Sequence, residues 1–169
     1  MTDYLLPGRA YEDCYRSLCE IVATYEGGLV DYDIDAIERD AIVPHPSGEG
    51  WMIVGADDPI DNGDALWRVI WGNAYPDDDI QALARVIAAA GDAVPGGTHP
   101  RTAARDWLDW RPNITPDELR DWLAAGVWLP RVAVMLRLAG VDPEDIGPAD
   151  GAAMSAGDLM VSTYLVRHS

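Results

Sequence analysis

The chain has 169 residues, is 49% apolar, and carries a net charge of −17 from 12 basic and 29 acidic side chains. A chain of this length buries roughly 70% of its unfolded surface, so it needs neither a metal nor a disulfide to hold a core. The apolar content excludes wholesale disorder, and the charge argues against general affinity for nucleic acid or anionic membrane.

The charge is unevenly spread. Residues 1–100 hold 5 Arg and 19 Asp or Glu, residues 101–140 hold 6 Arg and 5 acids, and residues 141–169 hold 1 Arg and 5 acids. Every basic residue is Arg; lysine and phenylalanine are absent, and 7 Trp and 7 Tyr supply the aromatic bulk. Cys14 and Cys19 lie five apart on an expected helix, which points them to different sides and makes neither a close pair nor a metal knuckle. The N-terminus lacks a basic region followed by an apolar run, and no stretch is long enough to span a membrane, so a cytoplasmic location is expected.

In chain order, Tyr11, Cys14, Tyr15, Leu18, Val22 and Tyr25 fall at helical spacing, with Gly27-Gly28 as the stop. Asp31, Asp33 and Asp35 alternate at strand period, yet Asp33 can also cap a helix; a short helix over 33–40 is the expectation. Ala41-Ile42-Val43 reads as a strand ended by Pro44, residues 44–50 as a turn, and Trp51-Met52-Ile53-Val54 as its hairpin partner. Residues 57–64 form an acidic loop before a helix from Asp64 to Trp71. Asp77, Asp78 and Asp79 sit where carboxylates suit the positive end of a helix dipole, and that helix runs to Gly91. The run 93–98 is the most linker-like. The chain is therefore read as a single domain over 1–169, divisible into an acidic α+β part (1–92) and a helical part (98–169). A helix from Pro100 to Trp110 follows. Residues 147–151 read as loop, and Leu159 to Val166 as a closing strand or helix, with Val161, Ser162, Thr163 and Tyr164 leaning to strand.

Residues 114–146 show a fourteen-residue echo. Thr115 caps a helix with Pro116 at its first position and Glu118 three residues after the cap. That helix stops at Gly126. Pro116 then recurs as Pro130, Trp122 as Leu136, and Ala125-Gly126-Val127 as Ala139-Gly140-Val141. A third start follows at Asp142-Pro143. Helices this short must pack on one another. The run from Thr115 through Gly126-Val127 to Val132 and Leu136 resembles the excisionase-type helix-turn-helix, which implies DNA binding. Against that, Val132, Val134, Met135, Leu136 and Leu138 dominate the second helix, whereas base readout needs Arg, Lys, Asn or Gln. The helix is expected to be buried on more than one side. The richness in Ala, Gly, Asp, Arg and Trp is similar to that of small proteins of actinobacteria and their phages, a likeness that implies no activity.

No motif announces chemistry. The acidic runs fail the calcium-loop pattern: Ile60 falls at a ligand position in one alignment, and Ala36 and Ile42 replace the required Gly and Glu in the other. Asp57, Asp58, Asp61 and Asp64 remain a looser cation candidate. His45, His99 and His168 have no metal-ligand spacing, and no nucleophile elbow or phosphate loop occurs.

The expected fold is α+β and predominantly helical, with several short helices packed on a small hairpin. No catalytic residue, metal site or cofactor is expected. The leading functional expectation is a non-enzymatic acidic protein that binds another protein, itself basic or nucleic-acid-binding; a phage-encoded protein acting on a host protein is one form of this expectation. Trp107, Trp110, Trp122 and Trp128 cluster in sequence near six arginines, and Trp and Arg are favoured interface anchors. Core packing suits Trp122 and Trp107, which leaves Trp128, Arg131, Trp110 and Arg111 as the expected contact residues. The alternatives are a nucleic-acid-mimicking inhibitor, a helix-turn-helix DNA-binding protein, and a hydrolase using a divalent ion at 57–64. The apolar surplus of residues 130–138 fits either a core or a homo-oligomer face.

Overall fold

The computed structural model describes residues 7–25, 27–57, 63–95 and 98–168. Asp58 and Asp61 of the expected cation candidate, and Gly96-Gly97 of the linker-like run, lie outside them. The fold is predominantly helical α+β, with nine α-helices and a two-stranded antiparallel sheet among the described residues. It has two compact units, Met1–Pro76 and Asp77–Ser169. The run at 93–98 thus connects two helices within the second unit.

In the first unit, α1 (Tyr11–Ala23) buries Cys14, Leu18 and Val22 along one stripe. Burial pushes the Cys14 thiol up from its ordinary pKa, while Cys19 is half-buried on another side. The ambiguous segment resolves as a helix: Asp33 accepts from Ala36 N at 3.1 Å and starts α2 (Ile34–Ala41). β1 (Ile42–Pro44) then pairs with β2 (Trp51–Ile53) in the register Ile42↔Ile53, Val43↔Met52, Pro44↔Trp51. α3 (Asp64–Gly72) adds Leu66 and Ile70 to a core that also holds Leu18, Ile37 and Ile53.

The hairpin is widened by the N-terminal segment. Arg9 and Trp51 exchange both backbone hydrogen bonds at 2.9 Å. The Arg9 guanidinium then reaches Asp57 Oδ2 at 2.8 Å, and the same oxygen accepts from Ile53 N at 2.8 Å. Gly50, at φ 77°, allows the close approach, since a Cβ there would press on Arg9 O at 2.8 Å.

In the second unit, α4 (Asp79–Ala90) starts where Asp78 accepts from Gln81 N at 2.7 Å. It packs on α5 (Pro100–Trp110) and α6 (Pro116–Ala124). Arg101 of α5 is buried and donates to the fully buried Gln81 at 2.7 Å, with Asp78 at 3.6 Å. A buried charge is tolerable only with such partners. Trp107 and Trp122 are the largest side chains in this core; truncating either to Ala would cost about 3–5 kcal/mol.

The fourteen-residue echo is a repeated stop. At the end of α6, Gly126 N bonds Leu123 O at 3.0 Å and Val127 N bonds Trp122 O at 2.9 Å. At the end of α7 (Pro130–Leu138), Gly140 N bonds Arg137 O and Val141 N bonds Leu136 O, each at 3.0 Å. Both glycines are left-handed, at φ 77° and 79°. This is the Schellman geometry, with Val127 packing back on the helix it leaves.

Two expectations at the C-terminus are corrected. Residues 147–151 are not a free loop, because Pro148 opens α8 (Pro148–Ala156), which ends at left-handed Gly157. Residues 161–166 are not a strand; they belong to α9 (Val161–His168). There Val161 and Tyr164 are buried one turn apart, and Tyr164 stacks on His168 at 4.3 Å. Tertiary burial at helical spacing outweighs the strand preference of the β-branched residues. Among the described residues no helix is long and apolar enough to cross a membrane.

Two outcomes follow from this packing. A Cβ at Gly151, in the middle of α8, would overlap the Ala125 carbonyl. Gly151→Ala should therefore lower stability by about 2 kcal/mol or more through overpacking, although Ala in a helix is otherwise favoured by about 1 kcal/mol; a denaturant titration decides between them. A thiol reagent should label Cys19 in the folded protein and reach Cys14 only on unfolding; equal rates for the two would mean that α1 does not pack as described.

Candidate functional site

The expected contact residues lie on the second unit, and the structure separates them into three situations. Arg111, just past α5, is held by Glu118 of α6 at 2.7 Å, with both side chains mostly covered. Glu118 also gives its N–H to the Thr115 hydroxyl at 3.2 Å. Its carboxylate, through Arg111, ties the α5–α6 connection together. Arg111 is thus a structural link rather than an open contact.

Trp128 is half-buried. With Trp107, Leu129 and Pro130 it lines a small cavity of about 80 Å³ beside α5. Its backbone N–H donates to the buried Ser155 Oγ of α8 at 3.1 Å, and Leu129 N reaches the same oxygen at 3.5 Å. Ser155 therefore satisfies the turn that launches α7, where no side-chain cap exists. Nothing in the sequence around Trp128 marks Ser155, which lies 27 residues away.

Trp110 and Arg131 are exposed, and they share a surface. Trp110 ends α5 with 54% of its area open. α7 buries Val132, Ala133 and Leu136 but leaves Met135 51% and Leu138 85% exposed. The expectation that α7 is buried on more than one side is thus corrected: its outer stripe has no covering element among the described residues. Arg131, Val134, Met135 and Leu138 follow the three-and-four spacing of one helix face. Trp110, Pro112, Val134 and Leu138, with Arg111, Asn113 and Arg137, line a shallow hollow of about 320 Å³ between the end of α5 and this stripe. The exposed face of α5 adds Asp106 and Asp109 beside Trp110.

This stripe presents few groups that could read bases. Its polar members are Arg131 and, to one side, Arg137, which is ion-paired with Asp142. Apolar side chains stand where a recognition helix would present donors and acceptors.

Other hollows are less distinctive. Between α4 and α6, Ala82, Val86, Ala89, Leu123 and Ala124 floor a groove of about 600 Å³. Its rim arginines are already ion-paired, Arg85 with Asp77 at 3.0 Å and Arg120 with Asp117 at 2.5 Å. Asp57, a member of the expected cation candidate, is engaged by Arg9 and the Ile53 N–H. Among the described residues no group of three or more His, Cys, Asp or Glu side chains is placed to hold a metal ion.

A second exposed aromatic surface was not anticipated. Trp67 and Trp71 stand one turn apart on α3 of the first unit, on the side next to the buried Leu66 and Ile70. The signal was present: in Asp64–Gly72 the apolar residues fall on more than one side of the helix, so one apolar side had to remain outside or be covered by something else.

No family model, characterised protein or solved structure matches this chain. What its surfaces do must be argued from their own geometry.

Ser155→Ala should lower stability by about 1–3 kcal/mol by orphaning the Trp128 N–H. Leu138→Ala, at an open position, should stay within about 0.5 kcal/mol of wild type. Thermal and denaturant unfolding of the two variants tests this ordering.

Proposed function

We propose that the chain is a non-enzymatic binding protein that docks a basic protein partner on the α5–α7 face of its second unit. The observation that carries this reading is the exposure of Trp110 and Leu138 at one hollow, with Met135 exposed on the same face of α7. Contiguous apolar surface of this kind on an otherwise charged chain marks an interaction site more often than chance exposure does. Trp and Met are favoured at interface centres.

The net charge selects the partner. At −17, two copies of the chain repel each other, while a basic protein is drawn in and its encounter accelerated. Arg131 on the stripe, and Asp106 and Asp109 on the exposed face of α5, supply polar groups of both signs that would fix orientation. Arg111 lines the hollow while its ion pair with Glu118 ties α5 to α6, and Trp128 serves the surface indirectly, through the turn that launches α7.

The reading predicts that a photoreactive residue placed at position 138 crosslinks one protein from the native source. Capture should fall about tenfold or more with Trp110→Ala or Leu138→Asp, as for interface anchors, and should weaken with added salt. Undiminished capture by both folded variants overturns the reading. So does concentration-dependent self-association that Leu138→Asp abolishes, which would make the face a homo-oligomer contact.

A further inference from the structure

The first unit carries an exposed aromatic pair that the α5–α7 face does not explain. Trp67 and Trp71 are 53% and 48% exposed, with ring centres 5.8 Å apart and planes tilted by 48°. The pair continues inward: Trp71 meets the buried Tyr32 edge-to-face at 6.3 Å, and Tyr32 meets Tyr25 at 6.2 Å. Trp71 is therefore braced from beneath by an aromatic neighbour, while its outer side remains open. Leu29, 43% exposed, is a further apolar residue open on this unit.

The unit that carries the pair is strongly acidic. Residues 1–76 hold 15 Asp or Glu against 4 Arg. Of those arginines, Arg9 is taken by Asp57, Arg16 by Asp13 and Arg39 by Asp40. Asp64 is exposed on α3 one turn before Trp67, on the same stripe as Trp71. Arg68, exposed beside the pair, is the local exception.

We infer that the Trp67–Trp71 face is a docking site for an arginine-bearing segment of a protein partner, separate from the α5–α7 face. A guanidinium stacks on an indole face and is weakly hydrated, so it gains from aromatic contact without losing much solvation. The acidic unit supplies long-range attraction, and the two tilted rings supply the short-range contact. Nucleic acid is repelled by the same carboxylates. A neutral apolar helix would gain from the rings but nothing from the charge, so it is the competing occupant that the experiment separates.

The test uses the full chain and a fluorescein-labelled hexa-arginine peptide, followed by anisotropy at low ionic strength. Wild type should bind. Trp67→Ala with Trp71→Ala should weaken binding about fivefold or more, as expected for the loss of two exposed cation–π contacts. Trp67→Ala alone, which keeps Trp71 on Tyr32, should give about half that effect on a logarithmic scale. Arg68→Ala should tighten binding by removing the nearby like charge. Trp110→Ala should leave it unchanged, which keeps this result independent of the α5–α7 face. Equal affinity for wild type and the Trp67 and Trp71 variants would overturn the inference, leaving only diffuse charge attraction. Preferential binding of a labelled hexa-leucine peptide with charged ends would overturn it in favour of a purely apolar partner.

Discussion

The second unit depends on one close backbone approach. Gly151 of α8 lies against the Ala125 carbonyl, and Gly126 lies against the Pro148 carbonyl and Ala152 N. Neither position has room for a side chain. Because α8 can come this near, Ser155, one turn further on, reaches the Trp128 and Leu129 N–H groups. That contact sets where α7 begins and therefore which of its sides meets α5. The exposed stripe of Arg131, Met135 and Leu138 is the remainder of this geometry: the face left over once the two glycines have fixed everything else.

The readable part of the sequence was its punctuation. Pro116 and Pro130 at helix starts, Gly126 and Gly140 at helix stops, and Asp33 and Asp78 at caps all act within a few residues, so their effect is legible locally. α8 escaped because Gly151 interrupts it and no Ser, Thr, Asp or Asn precedes Pro148; its reason for being helical lies 25 residues upstream at Gly126. α9 escaped because its residues prefer strands and only the burial of Val161 and Tyr164 decides otherwise. The contact residues fared in the same way. Trp110 and Arg131 are exposed because of what does not cover them, whereas Arg111 found Glu118 and Trp128 found α5, both of which are matters of tertiary arrangement. The Trp67–Trp71 pair was written in the sequence as apolar residues on more than one side of α3, a pattern whose meaning appears only when one side is seen to be open.

The arginines show how a lysine-free chain uses its cations. Arg101 is buried with Gln81 and Asp78, Arg9 ties the N-terminal segment to Asp57, and Arg111 joins two helices through Glu118. A guanidinium remains charged at such sites and meets several acceptors in fixed directions, whereas an ammonium there would tend to lose its proton. Using these three cations this way draws them into the fold, while most carboxylates stay outside. The acidic exterior is thus partly a product of how the interior is held together, and it is the background against which both aromatic surfaces stand.

The Arg9 contact also bears on the order in which the chain assembles. In the second unit the most extensive packing, α4 on α5, joins helices adjacent in sequence, the kind of local pairing that forms quickly. Arg9, by contrast, finds Trp51 and Asp57 across more than forty residues of chain. On a ribosome, the ninth residue must wait until the fifty-seventh has emerged before it can be placed. The earliest described part of the chain to be made is therefore among the last parts of its unit to settle, and until it does, the hairpin edge at Trp51 stays open to whatever else is near.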